Sequence, residues 1–254
     1  MALTQKRAAF FDVDNTLIHG SSLYFLGRGM YQRGFFTKAD ISRFVLANLR
    51  FRLTGKENKE EIIKFQNAAT DFIGGHDVAE IEAIGQEIYD EFVSPALWQG
   101  TIDIAGAHLA NGEEVWLVTA APEDMAILIA NRLGFTGALG SKATIKDGKY
   151  TGTLEGNLLH GAEKAVAITK LAAERDFDLA QCYSYSDSHN DLPLLRAVGK
   201  PNAINPDAIL QIRAMSEGWP IHEFRRGRKF SQIFGPLVSR LAAGLTWLRP
   251  RKSR

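Results

Sequence analysis

Two aspartates set two residues apart are the first chemistry in this chain: Phe10-Phe-Asp-Val-Asp-Asn-Thr-Leu17 places Asp12 and Asp14 where an apolar run ends. On a strand, positions i and i+2 share a face while Val13 turns to the other. Carboxylates that close repel each other unless a cation stands between them, and hard oxygen donors favour Mg²⁺. Taken alone, the segment also reads as an ordinary Asp/Asn-rich turn after a strand. Further along, Thr119 follows a second apolar run and Lys164 opens an amphipathic helical stretch. After a third run, Ser186-Asp-Ser-His-Asn-Asp-Leu192 sets Asp187 and Asp191 four residues apart. Each has a structural reading of its own: Thr119 as a helix cap before Pro122-Glu-Asp124, Lys164 as a solvated helix charge, Asp187 and Asp191 as turn residues. The order along the chain is Asp-x-Asp, then a hydroxyl, then a lysine, then Asp-x-x-x-Asp.

These residues need elements to hold them. Ala8 to Phe11, Val115 to Val118 and the weaker run Cys182 to Ser186 read as buried strands, breaking at Asp12, Thr119 and Asp187. Stretches of helical periodicity lie between them, and that alternation predicts an α/β fold, a parallel sheet with helices on its faces. In such sheets ligands sit beyond the carboxyl ends of the strands, where these residues fall. The region between the first two strands carries three helical stripes, through Ile41 to Leu53, Ile62 to Ile73 and Val78 to Phe92. The expected organisation is an α/β core over 1–18 and 93–224, a helical domain over 19–92, and a separate tail over 225–254. Asp147-Gly148 between alternating residues predicts a hairpin.

The four motifs together resemble those of the haloacid dehalogenase superfamily of phosphotransferases, in its phosphoserine phosphatase-like branch, subfamily IB. The resemblance covers about residues 8–224 and implies a Rossmann-like core with an inserted all-helical cap. It implies a Mg²⁺-dependent phosphomonoesterase in which Asp12 is the nucleophile that forms an aspartyl-phosphate. Asp14 would act as general acid and then general base. The ion would be held by the Asp12 side chain, the Asp14 carbonyl and Asp187. Thr119, Ala120, Lys164 and Asn190 would bind the phosphate, and Asp191 would hold Lys164 in place. His189 reads as a loop residue. Two departures bear on substrate: Ser21 stands where phosphoserine phosphatases carry a glutamate that grips the substrate ammonium, and Ala120-Ala121-Pro122 replaces the usual glycines. Arg28, Arg33, Arg43, Arg50 and Arg52 of the cap are candidates to meet a second anionic group, or are solvated. A phosphotransferase or mutase of the same fold is the second enzymatic reading, and a non-catalytic binding module the third.

Composition bounds the rest. At 254 residues, 45% hydrophobic and 23% charged, with 15 Phe and 4 Trp, the chain has a core to bury and lacks the signature of disorder. Its single cysteine, Cys182, builds neither a disulfide framework nor a thiolate metal cluster within the chain. With no export leader and no spanning apolar segment, the expected location is cytoplasmic. The net charge of +1 conceals two unlike parts: 21 basic against 29 acidic residues up to Phe224, then nine basic and none acidic. In that last part Phe230, Ile233, Phe234, Leu237, Leu241 and Leu245 form an apolar stripe with basic flanks. The stripe reads either as a peripheral contact with the inner face of an anionic membrane or as a surface for the core or a second copy. The acidic remainder and the lack of a recognition motif speak against nucleic acid as a partner; a small phosphate monoester is the expected one.

Overall fold

The computed structural model describes residues 6–35 and 73–225. The stripes over 41–53 and 62–72, the residues Arg43, Arg50 and Arg52, and the basic stretch 226–254 lie outside the described residues.

The strand β1 (Ala8–Phe11) is buried along its whole length, as four consecutive apolar residues require. Its side chains alternate between two cores. Ala9 and Phe11 pack with Leu117, Ile129 and Tyr185; Ala8 and Phe10 pack with Val118, Ile168 and Leu194. Such two-sided burial belongs to parallel sheets covered by helices on both faces. β1 pairs with β2 (Glu114–Pro122) on one side, which in turn pairs with β3 (Gly137–Ser141). On its other side the sheet continues through β6 (Tyr183–Ser186), β7 (Lys200–Ile204) and β8 (Ile221–His222), following the hairpin strands β4 (Ala143–Lys146) and β5 (Lys149–Leu154) in the chain. The order is β3-β2-β1-β6-β7-β8, with every neighbouring pair parallel.

Between β1 and β2 the described chain is helical: α1 (Ser22–Gln32) and α2 (Val78–Ile88), the latter continuing as a π turn over Tyr89–Val93 and a 3₁₀ turn over Ser94–Ala96. Then α3 (Gln99–Ala110) and α4 (Glu123–Leu133) cover the Phe11 face of the sheet. The opposite face is covered by α5 (Ala162–Arg175) and α6 (Leu192–Arg196), with α7 (Ala208–Glu217) packing beside β7. Asp147 (φ 52°) and Gly148 (φ 75°) make the left-handed corner of the β4–β5 hairpin, as their sequence predicts. The hairpin is laced to the start of α2: Val78 N–H donates to Gly148 O at 3.0 Å and Gly75 N–H to Tyr150 O at 2.7 Å.

One strand departs from its expected end. β2 runs on to Pro122 rather than stopping at Val118, so Thr119 lies within the strand and does not cap a helix. Its register against β3 shifts between Val118 and Pro122. There β3 runs hard against the start of α4: a Cβ on Gly140 would lie 2.4 Å from Glu123 Cα, which only glycine avoids. Among the described residues no helix is long and apolar enough to cross a membrane.

Candidate active site

The register of the three central strands brings their carboxyl ends to one edge. Phe11 lies against Leu117 and Tyr185, so Asp12, Thr119 and Asp187 emerge side by side. A hydrogen bond from Asp12 N–H to Tyr185 O at 2.9 Å carries the pairing one residue beyond β1.

At the centre lies an ammonium between two carboxylates. Lys164 Nζ donates to Asp12 Oδ1 at 2.6 Å and to Asp191 Oδ2 at 2.7 Å. The three residues are 3%, 5% and 2% exposed, which rules out Lys164 as a solvated helix charge. Ser186 Oγ also donates to Asp191 Oδ2, at 2.8 Å. Thr16 Oγ1 stands between two more carboxylate oxygens, 3.0 Å from Asp12 Oδ2 and 3.4 Å from Asp187 Oδ1. It has one proton, so it bonds only one of them at a time.

The electrostatics follow from burial. Desolvation, ahead of every other cause, pushes Asp12 up to about 8; Lys164 opposes it, and the charges of Asp191, Asp187 and Asp14 reinforce it. Desolvation followed by the charge of Asp191 pushes Asp187 up to about 7. Burial alone would lower Lys164, but Asp12 and Asp191 overcome it and hold the ammonium above its ordinary range. Asp12, Asp187 and Asp191 together carry more negative charge than Lys164 cancels, and the donors are hard oxygens. A divalent cation of the Mg²⁺ type fits that balance. Among the described residues no three acidic, His or Cys side chains converge on one point. Asp12 and Asp187 are the side chains that would hold such an ion, with the Asp14 carbonyl as the third donor that the family resemblance implies.

The Asp14 carboxylate itself is engaged elsewhere. It accepts from Ser21 Oγ at 2.9 Å, Ser22 N–H at 2.8 Å and Ser22 Oγ at 2.6 Å. A tight loop with left-handed Asn15 (φ 57°) and Gly20 (φ 106°) brings the start of α1 back onto Asp14. Ser21, at the position of the substrate-gripping glutamate, is thus a partner of Asp14.

The remaining expected residues stand further out. Thr119 is buried at the same sheet edge, its Oγ1 accepting from Ala121 N–H at 3.1 Å. The Ala120 carbonyl turns away to accept from Ser141 Oγ at 2.8 Å. Asn190 is exposed on a 3₁₀ turn, its backbone N–H donating to Ser188 Oγ at 3.2 Å. His189 accompanies Asp207, which accepts from its backbone N–H at 2.8 Å and stands 2.9 Å from its Nδ1. Asp207 N–H in turn donates to Asp187 O at 2.7 Å, bracing the loop after β6 from outside. Sequence reasoning missed Thr16, Ser22, Ser186 and Asp207. Thr16 and Ser186 had a local signal, Thr16 one turn after Asp12 and Ser186 directly before Asp187.

Comparison with known proteins identifies the family. The model of the haloacid dehalogenase-like hydrolases matches residues 9–196. Phosphoserine phosphatase SerB1 of Mycobacterium tuberculosis is 48% identical over 236 residues, spanning 93% of this chain and 77% of its own. Histidinol-phosphatase of Neisseria meningitidis is 30% identical over 224 residues, 87% of this chain and 100% of its own. Among solved structures, a Bordetella pertussis Tohama I protein of unknown function is similar with a TM-score of 0.78 at 29% identity, over 87% of this chain and 100% of that one. This chain belongs to the haloacid dehalogenase-like hydrolase family.

Proposed function

We propose that the chain is a Mg²⁺-dependent phosphatase of small phosphate monoesters that works through a phosphorylated Asp12. The observation that carries this reading is the buried Lys164 bridge between Asp12 and Asp191, with the Thr16 hydroxyl set between Asp12 and Asp187. An anion that must attack a phosphate needs cations beside it, and phosphoryl transfer depends chiefly on positioning and charge neutralisation. When bound, Mg²⁺ supplies the larger share of that neutralisation.

The protein's own residues divide the rest. An Asp12 carboxylate oxygen forms the bond to phosphorus as the ester P–O bond breaks, and the departing alkoxide takes its proton from Asp14. Asp14, now a carboxylate, removes a proton from water. The hydroxide attacks phosphorus, the bond to Asp12 breaks, and inorganic phosphate leaves. Lys164 and the Thr119 hydroxyl stabilise the phosphoryl oxygens. Ser21 and Ser22 suit both states of Asp14, because a hydroxyl rotates between donating and accepting.

Purified full-length protein is expected to release phosphate from a monoester panel in Mg²⁺ and to stop on chelation. Because protons compete for Asp12 and Asp187, raised to about 8 and about 7, metal affinity falls as the pH drops through that range. Calorimetric titration with Mg²⁺ between pH 6 and 8.5 checks this; affinity independent of pH would remove these two carboxylates from the metal site.

Ser22→Ala removes one of the three donors to Asp14 at a site only 1% exposed. It is expected to lower kcat about tenfold with KM little changed, a fraction of what a general acid contributes. In kcat/KM the loss is larger for an alkyl phosphate, whose leaving group needs the proton, than for p-nitrophenyl phosphate. Equal losses on both substrates would mean that Ser22 acts on something other than proton transfer.

A further inference from the structure

Ser186 at the end of β6 lies against Ala203 of β7, so the chain that leaves β7 after Ile204 emerges beside Asp187. Its first residue, Asn205, is left-handed (φ 47°), a conformation asparagine adopts more readily than most residues, and is 2% exposed. The Asn205 backbone N–H donates to His222 O at 2.8 Å. Its side chain is used at both ends: Oδ1 accepts from Phe224 N–H at 2.8 Å and Nδ2 donates to Asn15 O at 3.3 Å. The Phe224 bond requires the amide oxygen, which leaves the amide nitrogen for Asn15. Asn15 follows Asp14 directly, in the loop after β1.

Two residues on, Asp207 takes hold of the other loop. Its backbone N–H donates to Asp187 O at 2.7 Å and its Oδ2 accepts from His189 N–H at 2.8 Å. Its Oδ1 accepts from Leu210 N–H at 2.8 Å as the N-cap of α7. Leu210 and Ala214 bury α7 against Leu195 and Ala203, so the cap stands on a packed helix. Apart from the cap, these bonds leave the 205–207 segment: they reach the loop after β1, the loop after β6 and the end of the sheet at β8. Groups that orient a metal ligand without touching the metal govern how well the ion is held.

We infer that Asn205 and Asp207 are positioning residues, a clasp that fixes the spacing between the Asp14–Asn15 segment and Asp187 and so sets the affinity for the divalent ion. The inference rests on the metal reading above, in which neither residue is a ligand.

The test is calorimetric titration of the full chain with Mg²⁺, beside phosphate release from p-nitrophenyl phosphate at rising Mg²⁺. Asn205→Gly suits the left-handed backbone and removes the amide alone. Asp207→Ser keeps a helix cap and the backbone N–H and removes the carboxylate. Each is expected to raise Kd for Mg²⁺ about tenfold or more, the scale for losing a group that orients a metal ligand. Turnover should recover as Mg²⁺ is raised to saturation, which places the loss in affinity. Asp207→Ser also removes a charge that acts on Asp187, but Asn205→Gly changes no charge, so its loss cannot be electrostatic. In the double variant the rise in Kd should fall well short of the product of the two single rises, because opening one end of a clasp already frees the spacing. A purely structural role would lower the number of ions bound per chain and leave Kd in place. An unchanged Kd in the single variants, or full multiplication of the two rises, overturns the inference while the parent protein still binds Mg²⁺ and releases phosphate. A parent protein that binds no Mg²⁺ overturns the metal reading with it.

Discussion

Asp12→Asn should leave a folded protein that releases essentially no phosphate. The expected loss is on the order of 10⁴-fold or more, the scale seen when a covalent nucleophile is removed. The geometry makes this a clean substitution. Asparagine keeps the shape, its Oδ1 still accepts from the Lys164 ammonium that stands 2.6 Å from Asp12 Oδ1, and its amide can donate to Thr16 Oγ1. It also removes the buried carboxylate that desolvation, reinforced by the charges of Asp191, Asp187 and Asp14, pushes up to about 8, while Asp191 remains to pair Lys164. The melting temperature should therefore hold or rise even as phosphate release disappears. Single-turnover phosphate release and a thermal melt on the same preparation check both halves. Hydrolysis that survives in a folded variant would take the nucleophile's role from Asp12. Loss of fold instead would mean that the carboxylate is needed for structure.

How far this site could be read before the fold was known depended on what kind of signal each residue carried. Asp12 and Asp187 were legible because each ends a run that is buried in the sheet, Ala8–Phe11 and Tyr183–Ser186, and the break from apolar to acidic is itself the signal. Lys164 was visible as a residue near a helix start, but periodicity does not distinguish a buried ammonium from a solvated one. Its partners lie 152 and 27 residues away in sequence. β3 and β7 escaped notice because Gly137-Ala-Leu-Gly-Ser141 and Lys200-Pro-Asn-Ala-Ile204 have little strand propensity. They are strands through their neighbours: a Cβ on Gly137 would lie 2.6 Å from the Trp116 ring, so the glycine is there to admit that ring. The end of β2 was misplaced for a similar reason, since Thr119-Ala-Ala-Pro122 carries no periodicity and only pairing with β3 extends it. The Ser21–Ser22 clamp on Asp14 depends on the left-handed corners at Asn15 and Gly20, a turn geometry that composition hints at but does not fix.

The second large effect concerns the ammonium. Lys164→Met should cost both stability and catalysis, and the two losses should separate. Removing the cation leaves Asp12 and Asp191, 5% and 2% exposed, facing each other without compensation. Breaking a buried pair in this way costs about 3–5 kcal/mol, roughly 6–20 °C of melting temperature for a domain of this size. Added Mg²⁺ should restore part of it by neutralising Asp12. Catalysis should fall roughly 10²–10³-fold, the range for losing one group that stabilises developing charge. Asp191 contacts Lys164 and Ser186 rather than the attacking oxygen, so its charge becomes a liability once Lys164 is gone. In the double variant Lys164→Met, Asp191→Asn, most of the lost stability should return while activity stays low. The coupling between the two positions would then be large in a denaturation cycle and small in kcat/KM. If activity returned with stability, Lys164 would be a structural counter-ion to Asp12 and Asp191, and stabilisation of the phosphoryl oxygens would fall to Thr119 and the metal alone.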